Sequence, residues 1–278
     1  MTQSLLDRIV ASARQRAAQR RALLPLARLE AQVRPDPGRG RRYVTALAQP
    51  ELAFVAALER ASPSGGRMLS EDPLTRAASA PRAGPRWREL AAALLAGGID
   101  ALVVGTESDH YDGELEDLES VAFTGLPVMR ADFLVDEGMV LESALHGAHA
   151  VQLIAAILDD YELARLRAAA RALGLAVMIE VHHEHDLERT LPLEPELVGV
   201  NARDRRTLAM DSGVFERLFP RIPRPSLRVA LSGLATSDDM RRVRAVGADV
   251  ALVGSSIMRA ADPVGLLASW RAAVRRSR

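Results

Sequence analysis

Residues 161–182 read YELARLRAAARALGLAVMIEVH. From Tyr161 to Leu173 the leucines and alanines recur at helical spacing among arginines, which predicts an amphipathic helix with one buried stripe. Gly174 falls where that helix ends and the chain turns. The next run, Ala176–Val181, is short, apolar and not strictly alternating, the pattern of a parallel strand covered on both faces. Glu180 closes the strand, and a carboxylate at such a position is costly unless it is paired or used.

The same unit recurs in both directions. Apolar runs stand at Leu52–Leu58, Ala101–Gly105, Pro127–Leu134, Val151–Ile157, Leu197–Asn201, Leu227–Gly233 and Val250–Ser255. Helical patterns lie between them, for example Asp238–Val246 behind the capping candidates Thr236 and Ser237. Eight strands alternating with helices predict an α/β fold, a (β/α)8 TIM barrel with an N-terminal helical extension. A doubly wound open sheet is the runner-up, but no Gly-x-Gly-x-x-Gly follows an early strand. The expected division is a helical extension over 1–50, packed on a barrel over 51–278. Arg34–Arg42 (RPDPGRGRR) reads as a solvated loop, and Ser79–Arg88 as an interruption of the helix after strand one.

Composition narrows the chemistry. The 278 residues carry 36 basic and 36 acidic side chains, which argues against a nucleic-acid or anionic-membrane binder. Cysteine is absent, so disulfides and thiolate chemistry are excluded. Lysine is absent too: every basic residue is arginine, which stays protonated and cannot serve as a proton donor or form a Schiff base. The arginine-studded N-terminus has no apolar core of a secretory signal, and no run has the length of a membrane span, so a cytoplasmic protein is expected.

In a barrel the site is built from the C-terminal ends of the strands and the loops after them. Those ends supply Glu59 with Ser62-Pro63-Ser64-Gly65-Gly66, then Glu107, Arg130 to Phe133, Glu180 with His182, and Asn201 with Arg203. Ser232-Gly233 and Gly254-Ser255-Ser256 close the last two strands, where glycine loops hold phosphate through their backbone amides or serve only as tight turns. Glu180 reads either as a general acid/base or as the partner of Arg203 or Arg130. Asn201 and Arg203 read as substrate-orienting donors or as a pair that holds the loop. His182-His183-Glu184-His185 lacks the spacing that puts two ligands on one helix face, so these are read as surface histidines, with no metal expected. His182 remains a candidate for proton transfer.

Several motifs in one order carry a resemblance: Ala61-Ser62-Pro63-Ser64, Leu126-Pro127-Val128-Met129-Arg130-Ala131-Asp132-Phe133, Ile179-Glu180-Val181-His182, Gly199-Val200-Asn201-Ala202-Arg203-Asp204, Ser232-Gly233 and Val253-Gly254-Ser255-Ser256. On these, and over essentially its whole length, the chain resembles indole-3-glycerol-phosphate synthase. The resemblance implies a cofactor-free barrel enzyme that closes an indole ring on an anthranilate-derived, phosphorylated small-molecule substrate, losing CO2 and water. It implies catalytic roles for Glu180, Asn201 and Ser232, substrate contacts at Ser62, Phe133 and Arg203, and a phosphate cradle at Gly233, Gly254 and Ser255.

Four positions depart from the family's pattern. The lysine at the end of strand three is Ala131, the strand-one Glu and Lys are Ala57 and Glu59, and the Glu before Ser232 is Leu231. Loss of a positioned acid alone costs on the order of 10²–10⁴ in rate. The leading expectation is therefore a diverged enzyme acting on a related aromatic amine, with or without a phosphate, with Glu180 as the remaining acid/base and Glu59 or His182 beside it. Authentic indole-glycerol-phosphate formation with an unusual donor, and a non-catalytic binding barrel, are the other readings.

Overall fold

A computed structural model of the chain describes residues 4–63, 65–68 and 85–275. Eight strands, β1 (Ala53–Leu58), β2 (Ala101–Gly105), β3 (Val128–Ala131), β4 (Ala150–Ile154), β5 (Ala176–Val181), β6 (Leu197–Asn201), β7 (Leu227–Leu231) and β8 (Val250–Val253), close into one parallel barrel. β1 seals it, pairing with β8 in the register Ala53↔Val250 and with β2 in the register Val55↔Ala101. Nearly every strand residue is buried, as the non-alternating apolar runs require, because one face fills the barrel and the other lies under helices.

Several runs end earlier than the apolar pattern does. Ser232 and Gly233 take left-handed backbone conformations, with φ of 65° and 67°, and so stop β7 at Leu231. For a serine that conformation is strained by roughly 1–3 kcal/mol, and such residues collect at functional sites. The run at 250–255 likewise gives up Ser255, which starts the short helix α11 (Ser255–Met258).

Two of the helices read from the sequence are fixed at their starts by capping side chains. α7 (Asp160–Ala172) begins one residue earlier than the pattern, because Asp159 and Glu162 cap each other's backbone amides. α10 (Ser237–Ala245) is capped by Thr236 rather than Ser237, in a box with Asp239. Of the interruption expected over 79–88, residues 79–84 lie outside the described residues, and α4 (Pro85–Ala96) already runs through Arg88. Ser64 of the strand-one motif also lies outside them.

Three helices precede β1: α1 (Leu5–Leu23), α2 (Leu26–Glu30) and α3 (Arg39–Leu47). The arginines of α1 bind acids at the barrel mouth. Arg14 meets Glu162 at 2.7 Å, Arg16 meets Glu107 at 2.9 Å and also Asp109, and Arg20 meets Glu142 at 3.1 Å. Leu6 and Ile9, on the same helix, are buried beneath them.

The segment Arg34–Arg42 is not a solvated loop throughout: α3 starts at Arg39. Local composition is overridden by packing. Gly40 donates its amide to the Gly174 carbonyl at 2.7 Å, while Tyr43 and Leu47 bury themselves under the barrel. A Cβ on Gly40 would lie 2.8 Å from the Gly174 carbonyl oxygen and closer still to the Ala176 amide nitrogen. Gly40→Ala is therefore expected to destabilise the fold by about 1–3 kcal/mol, read as a lowered urea midpoint with an unchanged m-value.

Candidate active site

A cavity of about 610 Å³ opens at the C-terminal ends of the strands. Leu5, Leu6 and Ile9 of α1 form part of its wall, so the N-terminal helix shapes the site as well as bracing the barrel. Asn201, Arg203, Ser232, Gly233, Gly254 and Ser255 converge on this one space. Glu59, Ser62 and Phe133 border it as well.

Glu180, on β5, lies just behind that wall, 3% exposed. Its oxygens are filled from three sides. Asn201 Nδ2 donates to Oε1 at 2.9 Å, and Gln152 Nε2, from the middle of β4, donates to Oε2. Arg205 completes the set, with Nη2 donating to Oε2 at 2.7 Å and Nε donating to Oε1. A two-pronged guanidinium–carboxylate pair with two further amide donors is how a buried carboxylate stays ionised.

Arg205 is the residue that sequence reasoning missed. The partners expected for Glu180 were Arg203 and Arg130, and both are engaged elsewhere. Arg203 donates Nη1 to the Leu208 carbonyl at 3.0 Å, and its amide to Asn201 Oδ1 at 2.9 Å. Arg130 is fully buried under β3, bonded to Thr106, Asp132 and the Met139 carbonyl. Arg205 reaches Glu180 across the cavity, donates Nη1 to the Tyr111 hydroxyl at 3.2 Å, and sits 5.7 Å from the centre of the Phe133 ring. Burial disfavours its charge, but Glu180 and Tyr111 outweigh that and raise its pKa further. Burial also pushes the Tyr111 phenol up to about 12, so it is neutral at ordinary pH.

Glu59, half-buried at the end of β1, pairs with neither Arg60, which is held by Asp117 at 2.6 Å, nor Arg130, which is bonded to Asp132. A Cβ built on Gly254 would stand 3.8 Å from Glu59 Oε2, which places the carboxyl beside the glycine loop of β8. Burial pushes its pKa from 4.5 up to about 7; nearby Arg205 pulls it down and Glu180 adds to the rise.

His182 is not on the cavity wall. Its Nδ1 lies 2.6 Å from the Asn201 carbonyl oxygen, to which it donates, and so it braces the strand that carries Asn201. His183 lies at the exposed start of α8 (Glu184–Thr190), and His185 is exposed within that helix. Ligand atoms of His182, His183 and Asp204 approach within 4.8 Å of one another at the rim, a grouping that spacing within the histidine run does not show. Asp204 is already bonded to the amides of Arg206 and Thr207. Among the described residues no helix is long and apolar enough to cross a membrane.

A cavity at the C-terminal ends of eight parallel strands, bounded by the loops that follow them, is the active-site plan of (β/α)8-barrel enzymes. A family model described as indole-3-glycerol phosphate synthase matches residues 6–267. The protein of that name from Nocardioides sp. is 39% identical over 263 residues, covering 94% of this chain and 96% of its own. Its counterpart from Opitutus terrae is 38% identical over 255 residues, covering 89% and 90%. The structure of 3-hexulose-6-phosphate synthase from Salmonella typhimurium shares the fold alone, with a TM-score of 0.59 at 16% identity over 80% of this chain and 98% of its own. The chain belongs to the indole-3-glycerol phosphate synthase family.

A raised carboxyl pKa makes a checkable statement about stability. The folded state holds the Glu59 proton up to about pH 7, whereas the unfolded chain releases it near 4.5. Its contribution is therefore intact below about pH 4.5 and is lost as pH rises through 7. Glu59→Gln, which cannot ionise, should match the parent in melting temperature at pH 5 and exceed it at pH 8. Equal melting temperatures at both pH values would refute the burial of this carboxyl.

Proposed function

We propose that this chain is a carbon–carbon lyase of the carboxy-lyase type, acting on an anthranilate-derived or related aromatic amine. Glu180 is its acid/base and Glu59 its proton-donating partner. The observation that carries the reading is the pairing of two carboxyls around a cavity that contains no ammonium group. One accepts from Arg205, Asn201 and Gln152, and the other keeps its proton up to about pH 7. Two like groups set in different surroundings are the ordinary means of dividing acid from base work at one pH.

Elimination supports the assignment. Arg203, Arg205 and Arg259 border the cavity, but guanidinium does not give up a proton. Tyr111 holds its proton too tightly. Glu107 is engaged by Arg16 and by the amides of His110 and Tyr111, and Asp132 by Thr106, Arg130 and the Phe133 amide. Glu59 remains. In this reading the ring carbon that bears the carboxylate attacks the side-chain carbonyl carbon, whose oxygen takes the Glu59 proton. The bond to CO2 breaks as that ring regains its aromaticity. The new hydroxyl leaves as water with a second proton from Glu59, recharged from solvent, while Glu180 removes the proton of the neighbouring carbon. Asn201 and Ser232 orient the reacting centre, Ser62, Phe133 and Arg203 contact the substrate, and the loops of Gly233, Gly254 and Ser255 face its far end. A phosphate there is compatible with Glu59 only while Glu59 is protonated, because an ionised carboxylate beside Gly254 repels it. A neutral end group fits without that condition.

Formation of indole-3-glycerol phosphate itself is the second reading, favoured by the full-length family match and by the names of the relatives. Incubation with carboxyphenylamino-deoxyribulose phosphate separates the two: indole fluorescence above a buffer blank establishes the second and overturns the first. The first expects none, and expects CO2 release from other N-substituted anthranilates. That release should fall as pH rises through about 7, as Glu59 loses its proton. Glu180→Gln and Glu59→Gln should each lower it on the order of 10²–10⁴-fold, and Glu59→Gln should abolish the alkaline decline. Absence of CO2 release from every member of such a panel would leave a binding barrel.

A further inference from the structure

Glu180 poses a contradiction that the acid/base reading leaves standing. A base needs an oxygen lone pair that can face the substrate, yet its two oxygens already accept from Gln152, Asn201 and both prongs of Arg205. Gln152 and Asn201 project from β4 and β6 inside the barrel and are buried. Arg205 comes from the loop after β6, its side chain 22% exposed. It is the one donor of the set that can leave without disturbing a strand. Its charge is permanent, and a guanidinium taken off Glu180 inside the barrel needs another anion at once.

The cavity offers a particular place for that anion. The guanidinium sits over the Phe133 ring at 5.7 Å, the Tyr111 ring is 6.2 Å from Phe133, and Leu5, Leu6 and Ile9 face the same space. A carboxylate carried on a flat apolar body meets the cation with its head and the aromatic and aliphatic wall with its ring. Inorganic phosphate has the charge without the body.

We infer that Arg205 is an exchangeable counter-ion: the carboxylate of an aromatic-acid ligand displaces Glu180 from Arg205, which binds the ligand and releases Glu180 to act. Arg205 is then both the specificity residue for the carboxylate and the positioning residue that holds Glu180 until the ligand arrives. This rests on Glu180 being the working carboxylate, and it is tested by binding alone, so its failure and the failure of that reading are read in separate experiments.

The experiment is equilibrium binding of anthranilate, with inorganic phosphate as a second probe, to the parent chain and three variants. Arg205→Met keeps the length of the stem and removes the charge, and it should weaken anthranilate at least ten-fold. Glu180→Gln removes the internal competitor and should tighten anthranilate several-fold, an effect that a merely structural ion pair would not produce. Glu180→Gln/Arg205→Met leaves no unpaired charge; it should fold as the parent does and bind as weakly as Arg205→Met, which keeps the test open if the single arginine variant does not fold. Phosphate should respond to none of these changes. Anthranilate binding that is unchanged in Glu180→Gln, or unchanged when Arg205 is lost, overturns the inference, and so does phosphate that follows the same pattern as anthranilate.

Discussion

The ion pair between Glu180 and Arg205 is the constraint around which the mouth of this barrel is arranged. A carboxylate and a guanidinium taken out of water each carry a desolvation penalty of several kcal/mol, and only close two-pronged contact with further donors offsets it. Gln152 and Asn201, on the strands either side of β5, supply those donors. Tyr111 and Phe133 hold the other face of the guanidinium. The His182 ring in turn braces the carbonyl of Asn201. Elements from three successive strands, β4 to β6, and the loops after β2, β3, β5 and β6 are thus fitted to one pair of charges.

The absence of lysine gives that pair its meaning. Ammonium groups combine charge with a proton that can be lent; guanidinium keeps the charge and withholds the proton. In this chain the two duties are separated. Arg205 carries the positive charge, and in the proposed mechanism the exchangeable proton belongs to Glu59, whose burial raises its affinity for it. Ala57, Ala131 and Leu231 form apolar wall of the same cavity. Their apolar surface contributes to the burial that keeps Glu59 neutral.

How far the sequence discloses this depends on whether a feature is periodic. The barrel is periodic: eight apolar runs bounded by helix patterns specify strand number, parallel pairing and closure, and the ends of the strands point to Asn201, Ser232 and Gly254. The missing length of β7 was illegible, because Ser232 has a left-handed backbone that no propensity for serine anticipates. α3 was hidden because its start is fixed by contact between Gly40 and Gly174, not by local composition. Arg205 was hidden in a different way. In Arg203-Asp204-Arg205-Arg206 three arginines look alike, yet one bonds the Leu208 carbonyl, one enters the cavity and one bonds the Ala156 carbonyl. Which of them meets Glu180 is decided by a loop turn, and loop turns leave little trace in a charge pattern.

Glu59 shows how the position of a charge can matter more than its sign. At the mouth of the barrel an ionised glutamate would meet Glu180 with like charge and would sit against the loop that faces any phosphate. Read as a fixed charge, it argues against binding any anion at all. Burial removes that difficulty by keeping the group neutral below about pH 7, and a neutral carboxyl is a hydrogen-bond donor to the same anion it would otherwise repel. An arriving anion and the Glu59 proton therefore favour each other, while the same anion and the Glu180–Arg205 pair compete. On the proposed roles, one ligand charge acts on the two carboxyls in opposite directions, fastening the proton on one and freeing the other from its guanidinium, which is the arrangement that an acid and a base sharing a single pocket require.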